Sequence, residues 1–431
     1  MATVIQDRVL APALESHFSR LRREAWALSD QALVSGMNFL TNVILARLLG
    51  LQDFGVFTLA WMAVLFFNSL QMALVISPMM SIGPKQNEND APVYFGVTLV
   101  QQLAMAFASF VLVFAGVWAT QFWFPQWRIQ SLALPLAFVA LCFQMQEYLR
   151  RYFFTRCRAH LAFINDAISY AGQVALLAWL LVSHTATISK ALYIIGGTSL
   201  LAAVFGLVKL ERPRWPGNRL WPIMLRNWNF SKWLAACALM QWSSGNFFIV
   251  AATWVWGASA AGIFRVAQSL IAVTHVWLQG LENVLPATAS RLLHFEGPKS
   301  MMRYLRGVAT FWGGITALFA VVVSVAPAFW LNKLYGPGYD SYGYILRWYA
   351  LTYLIMFANL VLRAGLRAVE RTRPIFWSYV ATTSLALLTA LPLARHWFLN
   401  GTMFGMLMVQ VIAVCILLMA LRRPIPATTP A

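Results

Sequence analysis

The sequence contains few charged residues and especially few acidic ones. Only 11% of its 431 residues are charged, against about a quarter in an average soluble protein, and 14 are aspartate or glutamate. Charge-free stretches run from Asp53 to Lys85, from Asp90 to Arg128 and over three later segments. Each is longer than the roughly 20 residues that a membrane-crossing helix needs. These absences exclude an ordinary soluble fold.

Cysteine and the usual catalytic motifs are also scarce. The four cysteines lie far apart without a CxxC or metal-ligand spacing. An HExxH motif, a Walker-type glycine-rich loop and a close carboxylate pair are absent. The net charge of +18 is spread over helix ends and short loops, which argues against a nucleic-acid surface. We therefore expect no catalytic residue, no metal site, no cofactor and no nucleic-acid partner.

The sequence is instead rich in continuous Leu-, Ala- and Phe-containing runs, which indicate helices rather than the alternating strands of a membrane barrel. We predict an all-α polytopic membrane protein with about twelve spans, in two six-helix lobes around a central cavity. The predicted spans are 26–49, 55–82, 93–118, 130–149, 161–182, 190–208, 230–254, 261–287, 305–329, 341–362, 374–394 and 400–421.

The distribution of lysine and arginine predicts the orientation of these spans. The even-numbered connections and the two tails hold 25 of these residues, and the odd-numbered connections hold 5. By the positive-inside rule both termini are cytoplasmic. The predicted parts are a cytoplasmic N-terminal segment with an interfacial amphipathic helix, an N-lobe, a basic linker, a C-lobe and a cytoplasmic tail, at 1–25, 26–208, 209–229, 230–421 and 422–431.

The two predicted lobes show traces of an internal repeat. Matching residues recur at separations of 207 or 208, namely Gly50 with Gly257, Gly55 with Gly262, Asn38 with Asn246, and Pro78 with Pro286. The basic connections 150–158 and 363–373 correspond at a separation near 213. An even number of spans in each half makes such repeats parallel in the membrane.

The segment "NFLTNVILARLLGLQDFGVFTLA", residues 38–60, resembles the opening hairpin of bacterial polysaccharide flippases. In that family, which is related to the lipid II flippases within the multidrug/oligosaccharidyl-lipid/polysaccharide exporter superfamily, the first helix ends in an Ala-Arg-x-Leu-Gly turn. The resemblance implies a V-shaped transporter whose central cavity accepts a glycan linked to undecaprenyl pyrophosphate.

Three arginines in the outer half are candidates for binding the pyrophosphate, because charges within spans are expensive and usually functional. Arg265 lies in the eighth span where the first repeat has Thr58, and the resembling lipid II flippases carry a cavity arginine on that helix. A structural alternative is that Arg265 extends to the outer surface or bonds to a neighbouring helix. For Arg47 the alternative is a structural role, in which it complements the dipole of its helix or pairs with Asp53. For Arg347 nothing in the local sequence decides between a structural role and phosphate binding.

The carboxylates within spans lie toward the cytoplasmic end. We expect Glu147 and Asp166 to pair with nearby inner arginines, whereas Asp30 and Glu282 are candidates for ion coupling or for a gate. The predicted protein is therefore a flippase of the bacterial cytoplasmic membrane, working by alternating access.

Its expected contacts are the lipid-linked substrate, membrane lipids, and polymerase and chain-length or export proteins. The alternatives are a cation-coupled multidrug exporter of the same fold, a lipid-carrier-dependent membrane glycosyltransferase or ligase, and an assembly scaffold. The exporter predicts an acidic cavity dominated by Asp30 and Glu282, so the sign of the cavity charge distinguishes it from the flippase.

Overall fold

The computed structural model describes residues 17–123, 129–183 and 185–423, and within these ranges it contains helices and no strands. Two π-helical turns, Met72–Ile76 and Ala167–Ala171, connect consecutive helices. The α-helices are His17–Gln71, Ser77–Ile82, Ala91–Trp123, Ala133–Thr155, Ala159–Asp166, Gly172–Ser183, Ile188–Lys209, Leu220–Trp256, Ala258–Ile271, His275–Glu296, Pro298–Val325, Pro327–Tyr335, Gly343–Ala368 and Arg373–Arg422.

Ten helical segments of the described residues are long and apolar enough to cross a membrane, and two of them hold two spans each. The first is broken at Gly50, whose φ of 72° no helix allows, and the last is broken at Trp397 and Phe398. The described residues therefore hold twelve spans, which confirms the predicted fold class. We number these spans 1 to 12 in chain order.

The packing divides the spans into the two expected groups. Spans 3 to 6 pack on one another and on spans 1 and 2, and spans 9 to 12 pack on spans 7 and 8. The two groups meet where span 8 lies against spans 1 and 2 and where span 7 lies against spans 2 and 3. We call them the N-lobe and the C-lobe. The exact limits of the predicted parts stay predictions.

The termini lie largely outside what the structure describes. Residues 1–16 and 424–431 are outside the described residues, and these contain most of the predicted N-terminal segment and most of the predicted tail. We call the end of the bundle at Gly50 and Gly257 the outer end. The opposite end, at residues 83–90 and 210–219, is the inner end, following the predicted orientation.

Candidate functional site

Two glycines, one from each repeated hairpin, bring the lobes together at the outer end. Gly50 and Gly257 break their helices with φ values of 72° and 83°, and each stands five residues before a second glycine. A Cβ on Gly262 would lie 2.8 Å from the Leu51 carbonyl oxygen and 3.1 Å from the Gly55 nitrogen, so the backbones of spans 2 and 8 touch. Residues 207 apart thus meet directly, and they join the two lobes at the outer end.

Arg265 lies in span 8 below this contact, about 12 Å along the helix from Gly257 at 1.5 Å per residue. Its Nε donates to the Asn42 Oδ1 of span 1 at 3.1 Å, so the side chain reaches across the lobe interface. No described carboxylate forms an ion pair with its guanidinium. A cation buried without a counter-ion is unfavourable in a protein interior, and a bound anion would relieve that cost.

The C-lobe places three tyrosines, Tyr335, Tyr349 and Tyr353, within electrostatic range of Arg265. His275 stacks on Tyr353 with ring centroids 5.3 Å apart and an interplanar angle of 21°. These groups are neutral and supply no negative charge, so the positive charge of Arg265 stays uncompensated.

A series of cavities leads from the inner half of the protein to Arg265. The largest, of 580 Å³, lies between spans 2 and 7 and shares Leu65 and Asn246 with a small cavity beside Arg265. A second small cavity shares Trp61 and Arg265 with the first. Each small cavity holds 30 Å³, about the room for one water molecule. The series therefore narrows at Arg265, just below the glycine contact.

The walls of these three cavities are neutral apart from one residue. Of the described residues that line them, Arg265 is the single charged one. The rest are apolar or carry amide, hydroxyl or aromatic groups, and the amides are Asn38, Asn42, Asn68, Gln173, Gln241, Asn246 and Gln268. The repeat-related Asn38 and Asn246 both line the route. Amides and hydroxyls are the groups that form hydrogen bonds with uncharged sugars.

Arg47 occupies a different place from Arg265. Its Nε donates to the Leu334 carbonyl at 2.7 Å and its Nη2 donates to the Lys333 carbonyl at 2.5 Å. These carbonyls belong to the last turn of helix Pro327–Tyr335 in the C-lobe, where a cation complements the helix dipole. Arg47 therefore bridges the lobes at the outer end, and its bonds go to this helix rather than to Asp53.

Two further predicted site residues, Arg347 and Glu282, are exposed. Arg347 in span 10 donates from its Nε to the Ser324 carbonyl at 3.1 Å. Glu282 lies in the inner half of span 8, and no described residue forms an ion pair with it. Neither lines the series of cavities described above.

The N-lobe buries a cluster of opposite charges, none of which lines these cavities. Arg150 lies at its centre, 2.8 Å from the Asp30 Oδ2, 2.5 Å from the Asp166 Oδ2 and 3.4 Å from the Glu147 Oε1. All four side chains are at most 7% exposed. Arg151, which is partly exposed, approaches Glu147 at 3.7 Å. Glu147 and Asp166 thus pair with inner arginines as expected, and Asp30 joins them.

Sequence reasoning missed two features of these sites. It grouped Arg150 with the other inner arginines and gave no sign that Arg150 joins carboxylates of spans 1, 4 and 5. It also passed over the tyrosines beside Arg265. The i,i+4 spacing of Tyr349 and Tyr353 places both hydroxyls on one face of an apolar span, and that signal was available.

Among the described residues, no three His, Cys, Asp or Glu side chains are arranged to hold a metal ion.

Comparisons with known proteins agree with this architecture. A family model described as polysaccharide biosynthesis protein matches residues 44–311, more than half of the chain. No curated protein sequence matches this chain. One similar solved structure is the inward-facing conformation of a multidrug resistance MATE family transporter of the MOP superfamily. That structure has a TM-score of 0.70 and 11% identity, over 91% of this chain and 94% of that chain.

Two further structures show the same fold. The outward-facing conformation of a multidrug resistance MATE family transporter has a TM-score of 0.56 at 12% identity, over 92% of this chain and 95% of that one. A MOP superfamily transporter from Pyrococcus furiosus, for which reverse polarity of the binding pocket suggests a different function, has a TM-score of 0.63. It is 12% identical over 96% of both chains. The chain therefore has the same fold as these transporters.

Proposed function

We propose that this chain, which belongs to the polysaccharide biosynthesis protein family, flips a lipid-linked oligosaccharide across the bacterial cytoplasmic membrane. The substrate is an anionic glycan precursor on undecaprenyl pyrophosphate, moved from the cytoplasmic to the outer leaflet for surface polysaccharide synthesis. Both termini are cytoplasmic, and the protein transports its substrate without changing it covalently. Its partners are the polymerase and the chain-length or export proteins that receive the glycan.

One observation carries this proposal: a single uncompensated arginine is the charged residue in a cavity route with otherwise neutral walls. A guanidinium matches phosphate oxygens bidentately, and in a partly dry cavity the pairing is stronger than in water. The amide and tryptophan side chains along the route suit the uncharged part of a glycan. A pyrophosphate at Arg265 with sugars toward the inner end fits this arrangement.

The described conformation suits the first half of an alternating-access cycle. The cavities extend from the inner half to Arg265, and the contact between Gly55 and Gly262 lies beyond. The headgroup enters from the inner end, pairs with Arg265 and leaves outward when the glycine contact parts. The lipid tail stays in the bilayer beside the gap between the lobes. Arg47 holds the outer end closed until then.

The charge cluster of the N-lobe is the proposed site of energy coupling. Three buried carboxylates face Arg150, and even with Arg151 counted there is one carboxylate more than the guanidinium groups beside them. A bound proton on Asp30 or a neighbour would balance the cluster. Glu282, at the inner end of the other lobe, is a proposed gate residue.

The proposal is tested by complementing a flippase-null strain and measuring surface polymer. We expect wild type to restore export and Arg265→Ala to reduce it roughly 10- to 100-fold, since a hydrogen bond to a charged group contributes about 1.5–3 kcal/mol. Arg265→Lys should retain part of the activity because it keeps the charge but loses the bidentate fork.

Arg347→Ala serves as the control, because this side chain is bonded to a backbone carbonyl and lines none of the three cavities. We expect it to retain most of the export. Normal export by Arg265→Ala would remove the phosphate role from this residue. Failure of the wild-type protein to restore polymer would remove the flippase assignment itself.

A cation-coupled multidrug exporter is the second candidate. The buried carboxylates around Arg150 favour it, and two of the similar structures are multidrug resistance transporters. An exporter of cationic drugs needs acidic groups along its cavity, whereas the charged residue on this route is Arg265. Ethidium efflux from cells that lack their own exporters separates the candidates, and we expect none above background.

A further inference from the structure

The inner end of span 9 carries a line of three basic side chains. Lys299, Arg303 and Arg306 are spaced i, i+4 and i+7, so they lie on one face of helix Pro298–Val325. All three are exposed, and none forms an ion pair with a described residue, Glu296 included. We propose that this basic stripe binds the phosphate group of an anionic phospholipid in the leaflet at the inner end.

The face of span 9 that carries the basic stripe is turned toward lipid. Further along the same face, at helical spacing, Leu318, Val321 and Val325 are exposed. A face that is apolar and exposed through the thickness of the membrane contacts hydrocarbon. The basic stripe therefore lies where a lipid-facing surface enters the headgroup layer.

The depth of the basic stripe favours a bound phosphate over free water. Span 9 is 28 residues long, or about 42 Å at 1.5 Å per residue. When it is centred on a hydrocarbon layer of about 30 Å, about 6 Å of helix lies in each headgroup layer. Arg306 stands about 12 Å from Pro298, so its backbone lies below the headgroups, where an exposed charge is unfavourable. A phosphate held by Arg303 and Arg306 together would compensate that charge.

The matching face of the N-lobe has no basic residue and is covered. Helix Ala91–Trp123 begins 207 residues before span 9, and Pro92, Gly96 and Leu99 stand at the positions of the basic stripe. The Arg214 backbone N–H donates to the Pro92 carbonyl at 3.1 Å, and a Cβ on Gly96 would lie 2.6 Å from the Arg214 carbonyl oxygen. The linker between the lobes occupies that surface, so the shared fold does not require positive charge there.

Charge complementarity selects the occupant. Several other arginines at the inner end have partners within the chain, since Arg156 and Arg158 pair with Glu211, and Arg219 pairs with Asp90. The basic stripe instead presents three charges along about 11 Å of helix without an acidic partner among the described residues. Anionic lipids supply phosphate oxygens at this level of the membrane, and basic residues beside a span attract them. A zwitterionic lipid fits less well, because its own cation neutralises its phosphate.

This inference does not depend on the proposed function, and it is tested in lipid bilayers. The full chain is reconstituted with its four cysteines replaced by serine and with a fluorescent label at Thr310→Cys, one turn beyond Arg306 on the same exposed face. Leu103→Cys, 207 residues earlier and exposed on span 3, is the matched label position. Brominated phosphatidylglycerol and brominated phosphatidylcholine each quench a label that they contact, and the ratio of quenching gives the local lipid preference.

We expect phosphatidylglycerol to be preferred about tenfold or more at position 310 and not at position 103, since each basic residue near the surface strengthens anionic lipid binding about fivefold. Lys299→Gln, Arg303→Gln and Arg306→Gln together should abolish the preference. Arg303→Lys with Arg306→Lys should keep most of it, because the charge remains.

Lys85→Gln, Arg212→Gln and Arg226→Gln together form the control variant. It removes the same number of charges from exposed inner-end residues that form no ion pair with a described residue. The preference at position 310 should stay near that of wild type, because these residues lie outside the basic stripe.

The same lipid preference at both label positions in wild type would overturn the inference. A preference at position 310 that survives loss of the basic stripe, or that falls equally in the control variant, would also overturn it. Relief of quenching at position 310 by undecaprenyl phosphate but not by unbrominated phosphatidylglycerol would reject a phospholipid in favour of the carrier lipid.

Discussion

The two lobes share a fold and a repeat but differ in the partners of two matching arginines. In the N-lobe Arg150 lies among three carboxylates, one of which is Asp166. In the C-lobe Arg363, 213 residues further on, donates to the Tyr379 hydroxyl at 2.7 Å. Tyr379 also follows Asp166 by 213 residues. The same pair of positions therefore holds an ion pair in one lobe and a hydrogen bond to a neutral group in the other.

In the outer halves the difference is reversed, because the charged residue lies in the C-lobe and a neutral residue lies at the matching position of the N-lobe. The C-lobe has Arg265 without a counter-ion, and the N-lobe has Thr58 at the matching position, whose hydroxyl donates to the Phe54 carbonyl at 2.8 Å. The carboxylate cluster therefore belongs to one lobe and the uncompensated cation to the other. Glycines and apolar residues preserve the helix packing, while polar positions that do not define the fold have diverged. The difference suggests that one lobe couples energy and the other holds the substrate.

The largest expected effect separates the two matching arginines. Arg150→Met leaves three buried carboxylates without their main partner, and we expect the free energy of unfolding to fall by about 3–5 kcal/mol. Arg363→Met removes a hydrogen bond to a neutral hydroxyl and should lower it by only about 1 kcal/mol. Denaturation in detergent, followed by circular dichroism, measures both. Equal losses would contradict the difference between the lobes.

A smaller effect is expected at the glycine contact, where the lobes are alike. Gly262→Ala places a methyl group against the Leu51 carbonyl and Gly55, and overpacking of this kind costs about 1–3 kcal/mol. We expect the outer ends of the two lobes to move apart. Spin labels at Lys190 and Arg395, both exposed at the outer end, report this as a longer distance.

Gly280→Ala is the control for this variant, because a Cβ there meets no atom within 4 Å. It should leave the distance unchanged and stabilise span 8 slightly, since alanine favours helix over glycine. An unchanged distance in Gly262→Ala would show that the glycine contact does not determine closure of the outer end.

The smallest effect concerns Arg47, which joins the lobes through backbone carbonyls. Arg47→Met removes a cation from the end of helix Pro327–Tyr335, and we expect closure of the outer end to weaken by about 0.3–1 kcal/mol. Arg47→Lys should keep most of that stabilisation. The same spin labels measure the closed fraction, and undecaprenyl pyrophosphate affinity should stay near that of wild type. A large loss of affinity would place Arg47 in the substrate site.

Much of the fold was predictable because a membrane restricts the possible structures. Twelve spans and the paired glycines follow from apolar length, charge spacing and the repeat, and the structure agrees with both. The sequence also predicts how deep in the membrane a charged residue lies, and that depth makes Arg265 a candidate. The sequence does not predict which neighbouring helix a charged side chain faces, because nearly every side of these spans is apolar. For that reason the sequence does not predict that Arg150 is the common partner of three carboxylates, nor does it predict the bonds of Arg47.

The sequence by itself determined that the chain is a twelve-span membrane protein with related halves and a rare arginine in the eighth span. These conclusions depend on local properties, namely the cost of exposing charge to lipid and the freedom of glycine to adopt positive φ. Only the tertiary structure decided which charges are compensated. Arg150 meets Asp30 from 120 residues away and Arg265 meets Asn42 from 223 residues away. Such pairings depend on how whole helices rotate and pack, and no local pattern in the chain records them.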